Sequence, residues 1–351
     1  MENQEKPHKR RVRYSGTHPK RFSEKYKEHQ PEKYADVVEK VIRKGSTPAG
    51  MHISICVKEI LDFLQIQPGQ RGLDVTLGYG GHTLEMLKCL KGEGHIYGLD
   101  VDPIESEKTK ERLKKQGFGE DILTVKLLNF RNIDQVAEEA GKFDFVLADL
   151  GVSSMQIDNP ERGFSYKVDG PLDLRMNPQK GISAAERLKE VTQEELYGML
   201  LENADEPYAE EISKAVIRQR RIRPIETTTD LKQVIEQALS FIPEKERKEA
   251  VKKSCQRSFQ ALRIDVNSEF EVLYDFLEKL PQVLAPNGRA AILTFHSGED
   301  RLVKKSFKQF YKEGIYSDIS KNVIRPSQEE CARNSRARST KMRWAIRAQE
   351  I

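Results

Sequence analysis

Fifteen residues, "LDVTLGYGGHTLEML" (Leu73–Leu87), constrain the fold of this chain more than any other stretch. An apolar run enters a glycine-rich turn and an amphipathic run leaves it at once. That is the pattern of a strand, a tight loop and a helix whose N-terminus faces a ligand. Glycines at 78, 80 and 81 permit positive φ and close approach of the backbone, and the helix N-terminus favours an anionic group. A loop of this kind holds a dinucleotide, a phosphate or a nucleoside.

The flanking sequence repeats the alternation. "VKEILDFL" reads as a helix and "GLDVTL" as the first strand, and "HTLEMLKCL" is the helix after the loop. "HIYGLD" (His95–Asp100) is a second strand, followed by a helix opened by Pro103 and stopped by Gly117. "ILTVKLL" and "FDFVLADL" are two more strands. Such alternation predicts a parallel, doubly wound α/β sheet. After Asp149 it stops for about a hundred residues, where a loop leads into helical segments at Ser183–Leu201, Glu210–Arg221 and Thr229–Leu239. It resumes with a helix over Glu269–Leu280, ended by Pro281, then the strand "RAAILTF", a helix over Asp300–Tyr311 and a last strand near "MRWAIR". The expected division is a basic extension over 1–50, a first core segment over 51–156, a helical insertion over 157–256 and a second core segment over 257–351.

Charge separates the extension from the rest. Residues 1–50 hold 13 Lys or Arg against 7 Asp or Glu, while the whole chain carries only +4. We read Met1–Gln30 as a flexible basic arm, Tyr34–Lys44 as a short helix and Gly45–Gly50 as a linker. Further basic clusters lie at Lys214–Pro224 and Arg333–Arg343. Clusters of this kind suit a polyanion, because each neutralised phosphate releases counterions. No apolar run approaches the roughly 20 residues that span a bilayer, and the N-terminus lacks a signal-peptide core, so no membrane association is expected. Cys56, Cys89, Cys255 and Cys331 are far apart without metal-ligand spacing, which predicts a reduced, cytoplasmic protein with no metal site.

Asp100 narrows the ligand. It ends the second strand about 20 residues after the loop, where an acid accepts ribose hydroxyls; its other reading is a cap for the helix at Pro103. Asp149, beside a glycine and two serines, ends the fourth strand, and ligands in open α/β sheets sit outside those ends. Loop and acid together indicate a nucleoside-bearing cofactor and leave both NAD and S-adenosylmethionine open. Thr83, at the position where a dinucleotide fingerprint wants Gly or Ala, argues against NAD.

The segments "DVTLGYGGHT", "GLDVDP", "LADLGVSSMQIDNPERGFSY", "DGPLDLRMNP", "SFQALRIDVNSE", "TFHSGEDRLVK" and "NSRARSTKMR" resemble, in order, the bacterial 16S rRNA cytosine-N4 methyltransferase family, the RsmH or MraW type. The resemblance runs from about His52 to Arg347. It implies an S-adenosylmethionine-dependent, Rossmann-like methyltransferase interrupted after strand four by a helical domain that helps hold RNA. It implies a substrate as well, N4 of a decoding-centre cytidine in 16S rRNA of the small ribosomal subunit. Cofactor contacts then fall on Gly80, Gly81, His82, Asp100, Phe130, Asp149 and Gln156, with Phe130 against adenine or simply a core aromatic. The sequence departs from the family at "ISIC" after His52, at Gly298 where Leu is usual, at Asn177 where Asp is common, and in the extra arm. These departures suit a paralogue that methylates a different RNA; a non-catalytic RNA-binding assembly protein is the other alternative. Asp149 is the candidate catalytic group, as acceptor for the amine or as a cofactor contact. Candidate RNA contacts are Arg218, Arg220, Arg221 and Arg223 on the insertion and Arg333, Arg336 and Arg338 near the C-terminus. His296 and Glu299 follow a strand end and could line the site, the other reading of His296 being a buried, satisfied histidine; neither is assigned catalysis.

Overall fold

A computed structural model describes residues 54–349; the basic arm, the short helix and the linker expected before them lie outside the described residues. After the first helix, α1 (Val57–Leu64), the chain builds β1 (Arg71–Asp74), α2 (Gly81–Leu90), β2 (His95–Asp100), α3 (Pro103–Lys115), β3 (Leu123–Leu127), α4 (Ile133–Ala140) and β4 (Phe143–Asp149). The second half of the sheet adds β5 (Leu284–Thr294), β6 (Tyr316–Ile319) and β7 (Lys341–Arg347). The seven strands lie in the order β3-β2-β1-β4-β5-β7-β6. Strands β1 to β5 pair in parallel, as the alternation predicts. The last strand departs from that expectation: β7 runs antiparallel to both β5 and β6.

Helices cover both faces, and the strands show it residue by residue. In β4, Val146 and Ala148 join one apolar cluster while Phe145 and Leu147 join the other. In β5, Ala290 and Ile292 face the first cluster and Ala291 and Leu293 the second. This alternation of two apolar faces is what a sheet buried on both sides requires. The first face is covered by α4, by α11 (Glu269–Val283) and by α12 (Ser297–Lys312), the second by α1, α2 and α3.

Between β4 and β5 the chain leaves the sheet. It forms a short α5 (Ser154–Asp158), then α6 (Ala184–Glu190), α7 (Gln193–Ala204), α8 (Ala209–Ile222), α9 (Thr228–Ala238) and α10 (Glu244–Asn267). These helices have their own apolar cluster, from Phe164 through Leu231 and Ile235 to Leu262. The single segment expected over Ser183–Leu201 is instead two helices. Val191 is extended, and Thr192 opens α7 with a capping box to Glu195, just as Ser183 opens α6 with Glu186. Position 256/257, where the insertion was expected to close, falls inside the continuous α10. Pro281 sits within the last turn of α11 instead of ending it, where its missing N–H removes one rung only.

Candidate active site

Three neighbouring parallel strands end on an aspartate: β1 on Asp74, β2 on Asp100 and β4 on Asp149. Parallel register brings these ends together at one edge of the sheet, where ligands of open α/β folds bind. Asp74, not singled out by the sequence reading, is fully buried, and burial raises its pKa. Thr83 Oγ1 donates to its Oδ2 at 2.6 Å and the Thr76 amide to its Oδ1 at 3.1 Å. The threonine that fits a dinucleotide fingerprint poorly is therefore the residue that satisfies Asp74. The available signal was an acid inside an otherwise apolar strand-to-loop run.

The glycine loop lies where the sequence placed it, and α3 clamps it. Thr109 Oγ1 donates to the Gly78 carbonyl at 2.6 Å. The Arg112 guanidinium lies 3.4 Å from the Tyr79 ring centroid and also donates to the Tyr79 carbonyl. Gly80, the residue preceding α2, has φ +77, and a Cβ there would lie 2.7 Å from Thr109 Cγ2, so both backbone and space require glycine.

Asp100 accepts from the Gly78 amide and from the Asp102 amide, each at 2.8 Å. It thus ties the loop to the end of β2, and burial pushes its carboxyl up to about 6 against those hydrogen bonds. The helix cap is a different residue: Asp102 accepts from the amides of Ile104 and Glu105. Its second oxygen accepts from Gln156 Nε2 at 3.2 Å and Arg162 Nη1 at 2.6 Å. Asp102 is fully buried and Arg162 nearly so. Arg162 Nη2 continues to the carbonyls of Arg175 and Met176, at 3.1 and 2.7 Å. Met176 and Leu174 are held in turn by Asn267 at the end of α10. One carboxylate therefore joins the N-terminus of α3, the segment after β4 and the long loop leading into the insertion, and the Asp102 amide links it to Asp100 and so to the glycine loop. Gln156, expected at the cofactor, is held by this hub and by Ser153.

Asp149 lacks such satisfaction. Its amide donates to Thr76 Oγ1 at 2.6 Å, its Oδ2 lies 3.5 Å from His82 Nδ1, and its buried Oδ1 has no partner among the described residues. Burial pushes this carboxyl up to about 6, with His82 opposing and Asp74 and Glu299 adding to the rise. His82 Nε2 lies 2.9 Å from the Ile55 carbonyl, which can only accept, so that nitrogen carries the proton and Nδ1 faces Asp149. Phe130 follows β3 in a short 3-10 turn; half-buried, it meets Phe276 edge-on at 5.3 Å. Beyond β5, Glu299 is buried and accepts from the Phe295 amide at 2.8 Å. Burial would raise this carboxyl, yet His296, Arg263 and that amide together hold it below the usual range. His296 Nε2 lies 3.2 Å from Glu299 Oε1 without the alignment of a hydrogen bond, so this buried pair is only partly satisfied.

The expected RNA arginines divide into two groups. Arg220 donates to the Leu188 and Val191 carbonyls, Arg223 pairs with Asp230, Arg333 with Glu329 and Arg336 with Asp158. Arg218, Arg221 and Arg338 are exposed, with no ion pair among the described residues. The four cysteines are free thiols. Glu269, His296 and Glu299 lie close enough to hold a metal, but Arg263 meets both oxygens of Glu269, at 2.7 and 2.9 Å, and holds that position as an ion pair. Among the described residues, no helix is long and apolar enough to cross a membrane.

The MraW methylase family matches residues 49–348. Ribosomal RNA small subunit methyltransferase H 1 of Lachnoclostridium phytofermentans is 74% identical over 348 residues, covering 99% of this chain and 95% of that protein. The protein of the same name from Agathobacter rectalis is 69% identical and covers 99% of this chain and all of its own length, so both alignments include the basic arm. Ribosomal RNA small subunit methyltransferase H of Clostridium botulinum is 39% identical over 309 residues, covering 83% of this chain and 97% of its own length.

The Asp102 hub sets a test of its own. Removing one partner of a buried ion pair leaves the other charge uncompensated, at a cost of about 3–5 kcal/mol. Arg162→Met is expected to lower unfolding free energy by that amount in urea titration, with the larger share recovered in the double variant Arg162→Met/Asp102→Asn.

Proposed function

The chain belongs to the MraW methylase family, and from that premise we propose that it methylates N4 of a cytidine in 16S rRNA of the small ribosomal subunit. Its cofactor is S-adenosylmethionine, which when bound supplies an electrophilic methyl group on a sulfonium. The observation that carries the reading is Asp149: a buried carboxylate oxygen with no partner among the described residues, at the carboxyl edge of β4, is open to a donor from a ligand.

The residues present fit that cofactor. Gly80 leaves the loop bare beside the N-terminus of α2, where the carboxylate end of an amino acid is favoured. Asp100 has lone pairs left after its backbone hydrogen bonds with Gly78 and Asp102, which ribose hydroxyls can use. Phe130 offers an aromatic wall to adenine.

A cytosine amine is a poor nucleophile because its lone pair is delocalised into the ring, so the protein must act mainly by positioning. Alignment of this kind contributes about 7–11 kcal/mol. Asp149 would accept a hydrogen bond from the amine, let its nitrogen become tetrahedral and take the proton that nitrogen loses. His82, anchored on the Ile55 carbonyl, lies beside the other oxygen of Asp149, at 3.5 Å. The base must be unstacked to reach this edge, which costs least in irregular RNA. Arg218, Arg221 and Arg338 are the arginines left to meet its phosphates.

The test is incubation with labelled S-adenosylmethionine and unmodified small subunits, with the modified nucleotide mapped by mass spectrometry. N4-methylcytidine is expected; transfer to another nucleotide, or none, contradicts the reading. Asp149→Asn is expected to lower kcat about 10²–10⁴-fold while cofactor affinity by calorimetry changes less than about twofold. A large affinity loss would instead make Asp149 a cofactor ligand. Asp100 must be ionised to accept both hydroxyls, so cofactor affinity is retained above its value of about 6 and lost as pH falls through it. From pH 6 to pH 5 the loss is about fivefold, and Asp100→Ala removes the dependence and weakens binding about ten- to a hundredfold.

A further inference from the structure

A cleft of about 560 Å³ opens between α11, α12, the turn after β3 and the end of α7. We propose that it seats an unpaired guanine nucleotide of the RNA strand, next to the target cytidine; this rests on the RNA reading above. Tyr274, 57% exposed on α11, and Phe270 one turn before it present aromatic faces on which an unstacked base can lie. A side chain at Gly298 would meet Phe270 at 2.6 Å, so the absence of a side chain at Gly298 is what lets this ring form the wall.

The charged groups around these rings select the base. Arg131 is held by Asp275, with Nε 2.9 Å from Oδ2, and Lys279 fixes its carbonyl at 2.8 Å, so its guanidinium is preset. Arg301 is exposed with no described ion pair and is free to meet a phosphate. Glu202 from the insertion and Glu271 from α11 are exposed acceptors, also without a described partner. Three carboxylates against two guanidiniums make the lining net acidic, which disfavours a run of bare phosphates. It favours a base with adjacent N–H donors on its edge, as guanine has. The location is also right. Arg131 adjoins Phe130 on the cofactor side, and Gly298 lies two residues past His296 at the end of β5.

The experiment has two arms on the full chain. In the first, Tyr274→Ala and Arg301→Ala, both exposed, are assayed with unmodified small subunits. KM for the subunit is expected to rise about five- to fiftyfold with kcat and cofactor affinity retained. In the second, guanosine and cytidine monophosphates are titrated against the protein and followed by tyrosine and arginine NMR signals. Guanosine monophosphate is expected to move Tyr274 and Arg301 signals at lower concentration, and the double variant Glu202→Gln/Glu271→Gln is expected to lose that preference. Equal response to both nucleotides, or an unchanged KM in both alanine variants, overturns the proposal. Absence of any methyl transfer by the unaltered protein would refute the RNA reading instead, and the nucleotide titration still reads the cleft.

Discussion

A carboxylate taken out of water must be met by donors, and the carboxyl edge of this sheet is organised around four aspartates, Asp74 and Asp102 buried and Asp100 and Asp149 partly so. Asp74 is met by Thr83 and Thr76, Asp100 by the amides of Gly78 and Asp102, and Asp102 by two helix amides, Gln156 and Arg162. Each set of donors draws a different segment to the same edge. Leaving such a group unmet costs about 1–3 kcal/mol, and more when charged, so the loop, α3 and the chain after β4 are fixed relative to one another. Asp149 is the exception, with one oxygen facing His82 and the other facing nothing described.

The hub at Asp102 explains how an insertion of this size serves a site on the sheet. Its helices have a separate apolar cluster and could sit on the core in many ways. The Arg162 fork reaches from a residue capping α3 to two carbonyls in the loop that leads into the insertion, and Asn267 grips that loop from the end of α10. The start of α3 and the loop into the insertion thus share one buried charge pair. Such a pair contributes little net stability over an apolar replacement, but it fixes geometry, because any other arrangement strands a charge.

Much of this was legible in the sequence, where the signal was local. The glycine loop, β2 through Asp100 and the helix opened by Pro103 follow from spacing and turn chemistry alone. The break between α6 and α7 is written in Thr192 and Glu195, a capping box that a long apolar periodicity masks. What stayed hidden depends on distant partners. β6 is a four-residue edge strand with two exposed positions and no periodic signal, and the direction of β7 is set by its pairing with β5. Arg162 reads as one more cation in a polar loop until the fold places Asp102 against it. Arg220 and Arg223, which read as surface charge for RNA, are committed to carbonyls and to Asp230 for the same reason.

The central claim is that the cofactor loop and the loop entering the insertion move as one unit through Asp100, Asp102 and Arg162. Hydrogen–deuterium exchange with and without S-adenosylmethionine tests it most directly. The account predicts that the cofactor slows exchange at 76–82 and 100–105 and also at 172–177, more than 60 residues away in sequence, and that Arg162→Met confines the protection to the first two segments. Protection limited to those two segments in the unaltered protein would contradict it.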